Sequence, residues 1–214
     1  MLALEQAFWK AHPGAVLAGV DEAGRGPLAG PVVAAAVSIP PEHAAELLAT
    51  ALAGLTDSKK LSARRREHFH DVLCATPGVS IGFGEAAAGE IDATDILRAT
   101  HLAMRRAVDA LPHPPDHALV DGLPPSGLPC PFTAIVKGDA KSLLIAAASV
   151  IAKVRRDRTL DELDARYPGY GFAGNKGYGT REHLDALRRL GPCPEHRRTF
   201  GPVRDVLERL PGLA

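Results

Sequence analysis

The chain has 214 residues, 46% of them hydrophobic and only 5% aromatic, which suits one large domain, or one domain with a small appendage, and a core filled by Ala, Val, Leu and Ile. Its formal net charge is zero, which excludes a coat protein that binds nucleic acid through bulk positive charge. Cys74, Cys130 and Cys193 show neither CxxC spacing nor a matching histidine pattern, so the expected setting is reduced and cytoplasmic.

The first residues, MLALEQAFWKAHPG, carry an acid at Glu5 and no long apolar segment, unlike a signal peptide. Uncharged stretches elsewhere are shorter than the roughly 20 residues of a membrane span and are broken by prolines, so no membrane partner is expected. Residues 16–20 read as a buried strand and residues 31–39 as a second, with Gly24, Gly26, Pro27 and Gly30 marking the turn of a hairpin between them. Pro40 and Pro41 introduce a helix over 42–52 that ends near Gly54. A polar connector, 56–62, leads to Ser62, which can cap a helix running to Leu73. Residues 78–86 alternate as a strand does, and 94–111 form a helical stripe stopped by Pro112.

The apolar run 117–120 ends in Asp121-Gly122, and a proline-rich loop then leads to a strand over 132–136 that ends in Lys137-Gly138-Asp139. A long helix is expected from Ala140 towards Leu163, closed by Tyr167-Pro168-Gly169. Loop follows over 169–179, then a helix over 180–190, a GPCP turn and a short helix after Pro202. A hairpin, a third strand and then strands alternating with helices describe an α/β layer with a mixed sheet. Charge is unevenly spread: residues 1–136 sum to −5 and residues 137–214 to +5, an acidic part beside a basic one, as metal-assisted work on a polyanion would use.

Asp21 and Glu22 stand where the first strand ends and can share a target there, for which a divalent cation with oxygen ligands is the natural choice. Gly24 and Gly26 let backbone approach a bulky ligand, and Arg25 offers a planar fork suited to phosphate. Asp121 and Asp139 follow two other apolar runs, so four carboxylates can converge on the carboxyl edge of the sheet. Taken singly, Asp121-Gly122 is also a common turn pair, and Asp139 is also a possible N-cap of the helix that follows.

The run DEAGRGPLAGPV, residues 21–32, resembles the signature of bacterial ribonuclease HII, as do 57–62 (DSKKLS), the helix segment 141–157, 176–180 (KGYGT) and 196–200 (HRRTF). Together these cover roughly residues 15–204 in the family's order. Leu144 departs from the pattern, standing where the family often has a serine.

The resemblance implies a ribonuclease H-like fold: a five-stranded mixed sheet flanked by helices over 1–166, and a small helical C-terminal extension over 167–214 that contributes to substrate binding. It implies an endoribonuclease that cuts RNA/DNA hybrids and excises single ribonucleotides from duplex DNA, leaving a 5′-phosphate and a 3′-hydroxyl. Asp21, Glu22, Asp121 and Asp139 would be both catalytic residues and ligands of two Mg2+ or Mn2+ ions, in a monomer. Substrate contacts are expected from Gly24, Arg25, Gly26, Ser58, Lys59, Lys60, Lys176, Tyr178 and Arg197, with Tyr178 sensing the step from RNA to DNA and Arg197 gripping the backbone. A junction-binding protein without catalysis and a hybrid ribonuclease that needs several consecutive ribonucleotides are the alternatives.

Overall fold

A computed structural model describes residues 1–209. The strands β1 (Leu17–Ala23), β2 (Val32–Ser38), β3 (Ser80–Ala86), β4 (His117–Asp121) and β5 (Phe132–Ile135) form one sheet in the order β3-β2-β1-β4-β5. β2 is antiparallel to both of its neighbours, whereas β4 and β5 run parallel to β1. Among the described residues the helices are α1 (Ala3–Ala11), α2 (Pro41–Ala49), α3 (Ala63–Ala75), α4 (Ala88–Ala93), α5 (Ile96–Asp109), α6 (Leu143–Arg166), α7 (Phe172–Asn175), α8 (Arg181–Leu190) and α9 (Gly201–Arg209). The five-stranded mixed sheet with flanking helices is the architecture the sequence led us to expect, with helices following it at the C-terminal end.

Strand alternation divides the core in two. Leu17, Ala35, Val37 and Leu119 pack with α6, α2 and α3 on one face; Ala18, Val20, Ala34, Ala36, Ala118 and Val120 pack with α5 on the other. Small residues set the distance between these layers. A Cβ placed on Gly19 of β1 would lie 2.1 Å from the Leu144 carbonyl carbon, so the backbone of α6 rests directly on β1. The first part of α6, residues 143–152, is buried all round and apolar but for Ser149, as a helix enclosed by its neighbours must be.

Three local expectations needed revision. The long helix begins at Leu143 rather than Ala140, because Ser142 is its cap: its Oγ accepts from the Ile145 N–H at 3.1 Å. Residues 138–140 form a separate 3-10 turn. The N-terminal segment, read only as lacking a leader, is helix α1, and its Glu5 is fully buried against the start of α6. There the Ser142 hydroxyl and the Leu144 N–H both donate to Glu5 Oε1, at 2.6 and 3.1 Å, a carboxylate meeting the positive end of a helix.

The helices after α6 fold back over the turn between β1 and β2. Ala29 packs with Leu160, Leu163, Tyr170, Phe172 and Ala186, and Leu28 packs with Leu187, Val203 and Val206. Among the described residues no helix is long and apolar enough to cross a membrane.

Candidate active site

Because β1, β4 and β5 are parallel, their carboxyl ends share one edge of the sheet. Val20 is paired with Val120, so Asp21 and Asp121 are the next residues on adjacent strands and project to the same face. β1 continues to Ala23 against β2, two residues beyond Asp21, while β4 stops at Asp121. Glu22 alternates to the opposite face from Asp21 and, beyond the last paired residue of β4, still reaches the same opening. After β5, Lys137 adopts a left-handed conformation with φ of 57° and turns the chain so that Asp139 enters the cleft. With Ser142 as the cap of α6, Asp139 is free of that duty.

The cleft measures about 730 Å³. It gathers the four carboxylates with Gly24, Arg25, Gly26, Ser58, Lys59 and Tyr178, and adds Arg66, Ser149, Lys153 and Arg156 from α3 and α6. Burial, followed by the charges of Glu22 and Asp121, holds the Asp21 carboxyl well above its ordinary range, although the Glu22 N–H donates to its Oδ1 at 2.7 Å. Burial also raises Glu22, opposed by Arg25 at 3.5 Å. Asp139 is raised by burial and by the nearby charges of Asp57 and Asp121. Asp121 is oriented by the Gly138 N–H, which donates to its Oδ1 at 2.6 Å.

Acids that repel one another in this way must share protons or be neutralised by a cation. The donor set is all oxygen, so the residues present fit a hard divalent ion and suit magnesium and manganese alike. Glu67, His70 and Asp71 on α3 also offer ligand atoms within 4.8 Å of one another, but Arg158 pairs with both carboxylates, at 2.5 and 3.8 Å, and supplies the charge they need.

Opposite the acids lies the turn 24–31. Its carbonyls face inward onto two buried guanidinium groups. Arg197 donates from Nη2 to Gly24 O at 2.6 Å, from Nη1 to Arg25 O and Pro27 O at 2.9 and 2.8 Å, and from Nε and Nη2 to Gly30 O at 3.0 and 2.9 Å. Arg156 donates to Ala29 O, Pro31 O and Lys176 O at 3.2, 3.1 and 3.0 Å. A Cβ on Gly24, whose φ is 97°, would lie 2.0 Å from Arg156 Nε, so glycine is required there on both conformational and steric grounds. Tyr178 stands beside this turn with its ring half exposed; a Cβ on Gly26 would meet Tyr178 Cε1 at 3.6 Å.

Three expected substrate contacts are not brought to the cleft. Arg197 is fully buried and all its N–H groups are engaged by turn carbonyls, so it has none left for the phosphate grip expected of it. Lys176 turns its Nζ to Asp161 and to the Asp157 carbonyl on α6. Lys60 is exposed but outside the cleft lining. Conversely, Asp57, expected only as part of the connector 56–62 and of the family-like run 57–62, bears through its charge on Asp139. Arg66 had been read as a helix residue, yet it donates to Ser58 O and Leu61 O at 3.0 and 2.6 Å and lines the cleft.

A five-stranded mixed sheet with acids at the carboxyl edge of its parallel strands is the plan of a ribonuclease H-like nuclease. The family model described as Ribonuclease HII matches residues 18–203, and the chain belongs to that family. It is 58% identical over 194 residues to the Ribonuclease HII of Paramagnetospirillum magneticum, covering 91% of this chain and 94% of that one. Over 203 residues it is 57% identical to the Ribonuclease HII of Rhodospirillum rubrum, covering 93% and 91%. Of solved structures, the ribonuclease H2 from Pyrococcus horikoshii superposes with a TM-score of 0.76 at 29% identity, covering 91% of this chain and 98% of that one.

Proposed function

We propose that this endoribonuclease of RNA/DNA hybrids also nicks duplex DNA on the 5′ side of a single embedded ribonucleotide, leaving a 5′-phosphate and a 3′-hydroxyl. The observation that carries this reading is the placement of Tyr178 against Gly26 in the cleft that also holds the four acids. A cut at a lone ribonucleotide requires the 2′-hydroxyl and the deoxyribose beside it to be told apart within one step of the strand. Backbone groups of Gly24, Arg25 and Gly26 meet the 2′-hydroxyl, and the Tyr178 ring packs on the adjoining sugar that lacks one.

Asp21, Glu22, Asp121 and Asp139 would hold two divalent cations, which supply an activated water and a counter-charge for the departing oxygen. The Glu22 and Gly138 N–H groups keep Asp21 and Asp121 in fixed rotamers. Lys59, exposed at the cleft wall, and Arg25 draw the scissile strand inward through its phosphates. Residues 167–214, of which 210–214 lie outside the described residues, act as the substrate-binding extension that supplies Tyr178, and the protein works as a monomer in the cytoplasm.

The test is a duplex with one ribonucleotide compared with a uniform hybrid. Tyr178→Ala should lower the ratio of kcat/KM on the first to that on the second by on the order of tenfold to a hundredfold, since stacking is worth about 1–3 kcal/mol per base and an error of about 1 Å in placement can cost on the order of a hundredfold. Tyr178→Phe should be milder. A wild-type protein that binds but does not cut the single-ribonucleotide duplex, or leaves it intact while cutting the hybrid, would overturn the reading.

A further inference from the structure

The adjoining residues His196 and Arg197 reach, by separate routes, both parts of the proposed reader. Arg197 holds the carbonyls of Gly24, Arg25, Pro27 and Gly30, while its own N–H donates to Leu28 O at 2.9 Å. His196 forms an isolated β-bridge with Ala29 and lies 3.1 Å, Nε2 to Nε2, from His183. His183 Nδ1 is in turn 2.8 Å from the Tyr178 carbonyl oxygen.

Hydrogen-bond logic fixes the protons along this chain. A carbonyl only accepts, so His183 carries its proton on Nδ1 and its Nε2 accepts from the His196 Nε2–H. His196 Nδ1 is then an acceptor and receives the Cys193 N–H at 3.0 Å. Both rings are buried beside Tyr170 and Phe172, and burial keeps both neutral, as the assignment requires.

We propose that His196 and Arg197, with His183, are positioning residues that fix Tyr178 relative to the Gly24–Gly26 backbone, and so set selectivity for a single ribonucleotide without touching substrate. This rests on the reading of Tyr178 as the sugar contact. Arg156, which bonds Ala29, Pro31 and Lys176, and the Leu28 N–H, which donates to Gly177 O at 2.8 Å, also tie the turn to residues 176–177, but of these links only the histidine pair ends on Tyr178 itself.

The amide analogues of histidine separate positioning from simple packing. Asn at 183 carries its N–H near the Nδ1 position and retains the bond to Tyr178 O; Gln reaches only the Nε2 position, where its Oε1 can accept from the His196 Nε2–H, and it loses the bond to Tyr178 O. Both disturb the same buried cluster. His183→Gln should lower the selectivity ratio on the order of tenfold at an unchanged metal requirement, whereas His183→Asn should stay within about threefold of wild type, and their melting temperatures should be alike.

Adding Tyr178→Ala to His183→Gln should lower the ratio no further than Tyr178→Ala alone, because both act through one contact. Arg197→Lys, which keeps the charge but offers three donors in place of five, is the independent variant and should lower the ratio even if the histidine variants do not fold. Equal ratios for Gln and Asn, full additivity with Tyr178→Ala, or an unchanged ratio in folded Arg197→Lys would each overturn the proposal. If Tyr178→Ala itself leaves the ratio unchanged, the sugar contact fails instead.

Discussion

The acidic edge and the turn opposite it are held by contrary means. Backbone register aligns Asp21 with Asp121, and once aligned the carboxylates oppose one another. In the turn 24–31 side chains do the aligning, two guanidinium groups and a histidine pair drawn from distant sequence, and almost every polar contact there is satisfied. The first region trades stability for chemistry and the second does the reverse. Sites that bind a cation are built strained without it; sites that discriminate by shape are built rigid.

The largest effect is expected where the first region is broken. Asp121→Asn keeps the acceptor for the Gly138 N–H but removes a ligand charge, so cleavage should fall by more than the 10²–10³ that losing one preorganised electrostatic contact typically costs. Thermal stability without metal should hold or rise, because a repulsion has gone. Near-normal turnover in magnesium would remove Asp121 from the ligand set.

Breaking the second region should show as lost stability. Arg197→Ala leaves several buried carbonyls unpaired, at about 3–5 kcal/mol, or a fall of roughly 10 °C in Tm. Lys59→Ala, on the exposed wall, should leave Tm alone and reduce the salt dependence of hybrid binding by about one phosphate. If Arg197→Ala instead keeps its Tm and loses salt dependence, Arg197 contacts phosphate after all.

The smallest effect separates the regions by pH. Burial, and then His183, pushes His196 from 6.5 down to about 4, so between those values the unfolded chain binds more protons than the folded one. Stability from this pair is complete above pH 6.5 and declines as pH falls towards 4, by up to about 3 kcal/mol. Asp21 has the opposite sign. Its raised folded value means the folded, metal-free protein binds the extra proton, so its contribution is complete at acid pH and is lost as pH rises through that value. Urea unfolding in chelator should therefore give a flatter acid limb for His196→Asn and a smaller loss on the alkaline side for Asp21→Asn. Identical limbs in wild type and variants would dissolve the contrast.

The same division explains what could be read in the sequence. Asp21, Glu22 and Asp121 end apolar runs, and a strand that stops in an acid announces a sheet edge by local pattern alone. Asp139 was ambiguous until Ser142, three residues on, proved to be the cap. Arg197 was misread because a guanidinium buried on carbonyls and one reaching for phosphate have the same neighbours in sequence; only the return of residues 195–197 against 28–30 distinguishes them. α1 was missed because Leu2, at its start, makes no side-chain cap, and its buried Glu5 looks like any surface acid until its partners at 142 and 144 are known.

Arg197 reaches Gly24 across 173 residues, whereas Asp121 and Gly138 are 17 apart. On a ribosome that difference becomes an interval. At about 5–20 residues per second, roughly 3–12 s pass between the emergence of Asp139 and that of Arg197. For that time the nascent chain carries the four acids of the proposed cutting edge, while the turn 24–31 has at most Arg156, and not yet Arg197, to hold its carbonyls. A chain interrupted before the last helices would keep that state: the four acids present, and the proposed reader without Arg197 and the histidine pair.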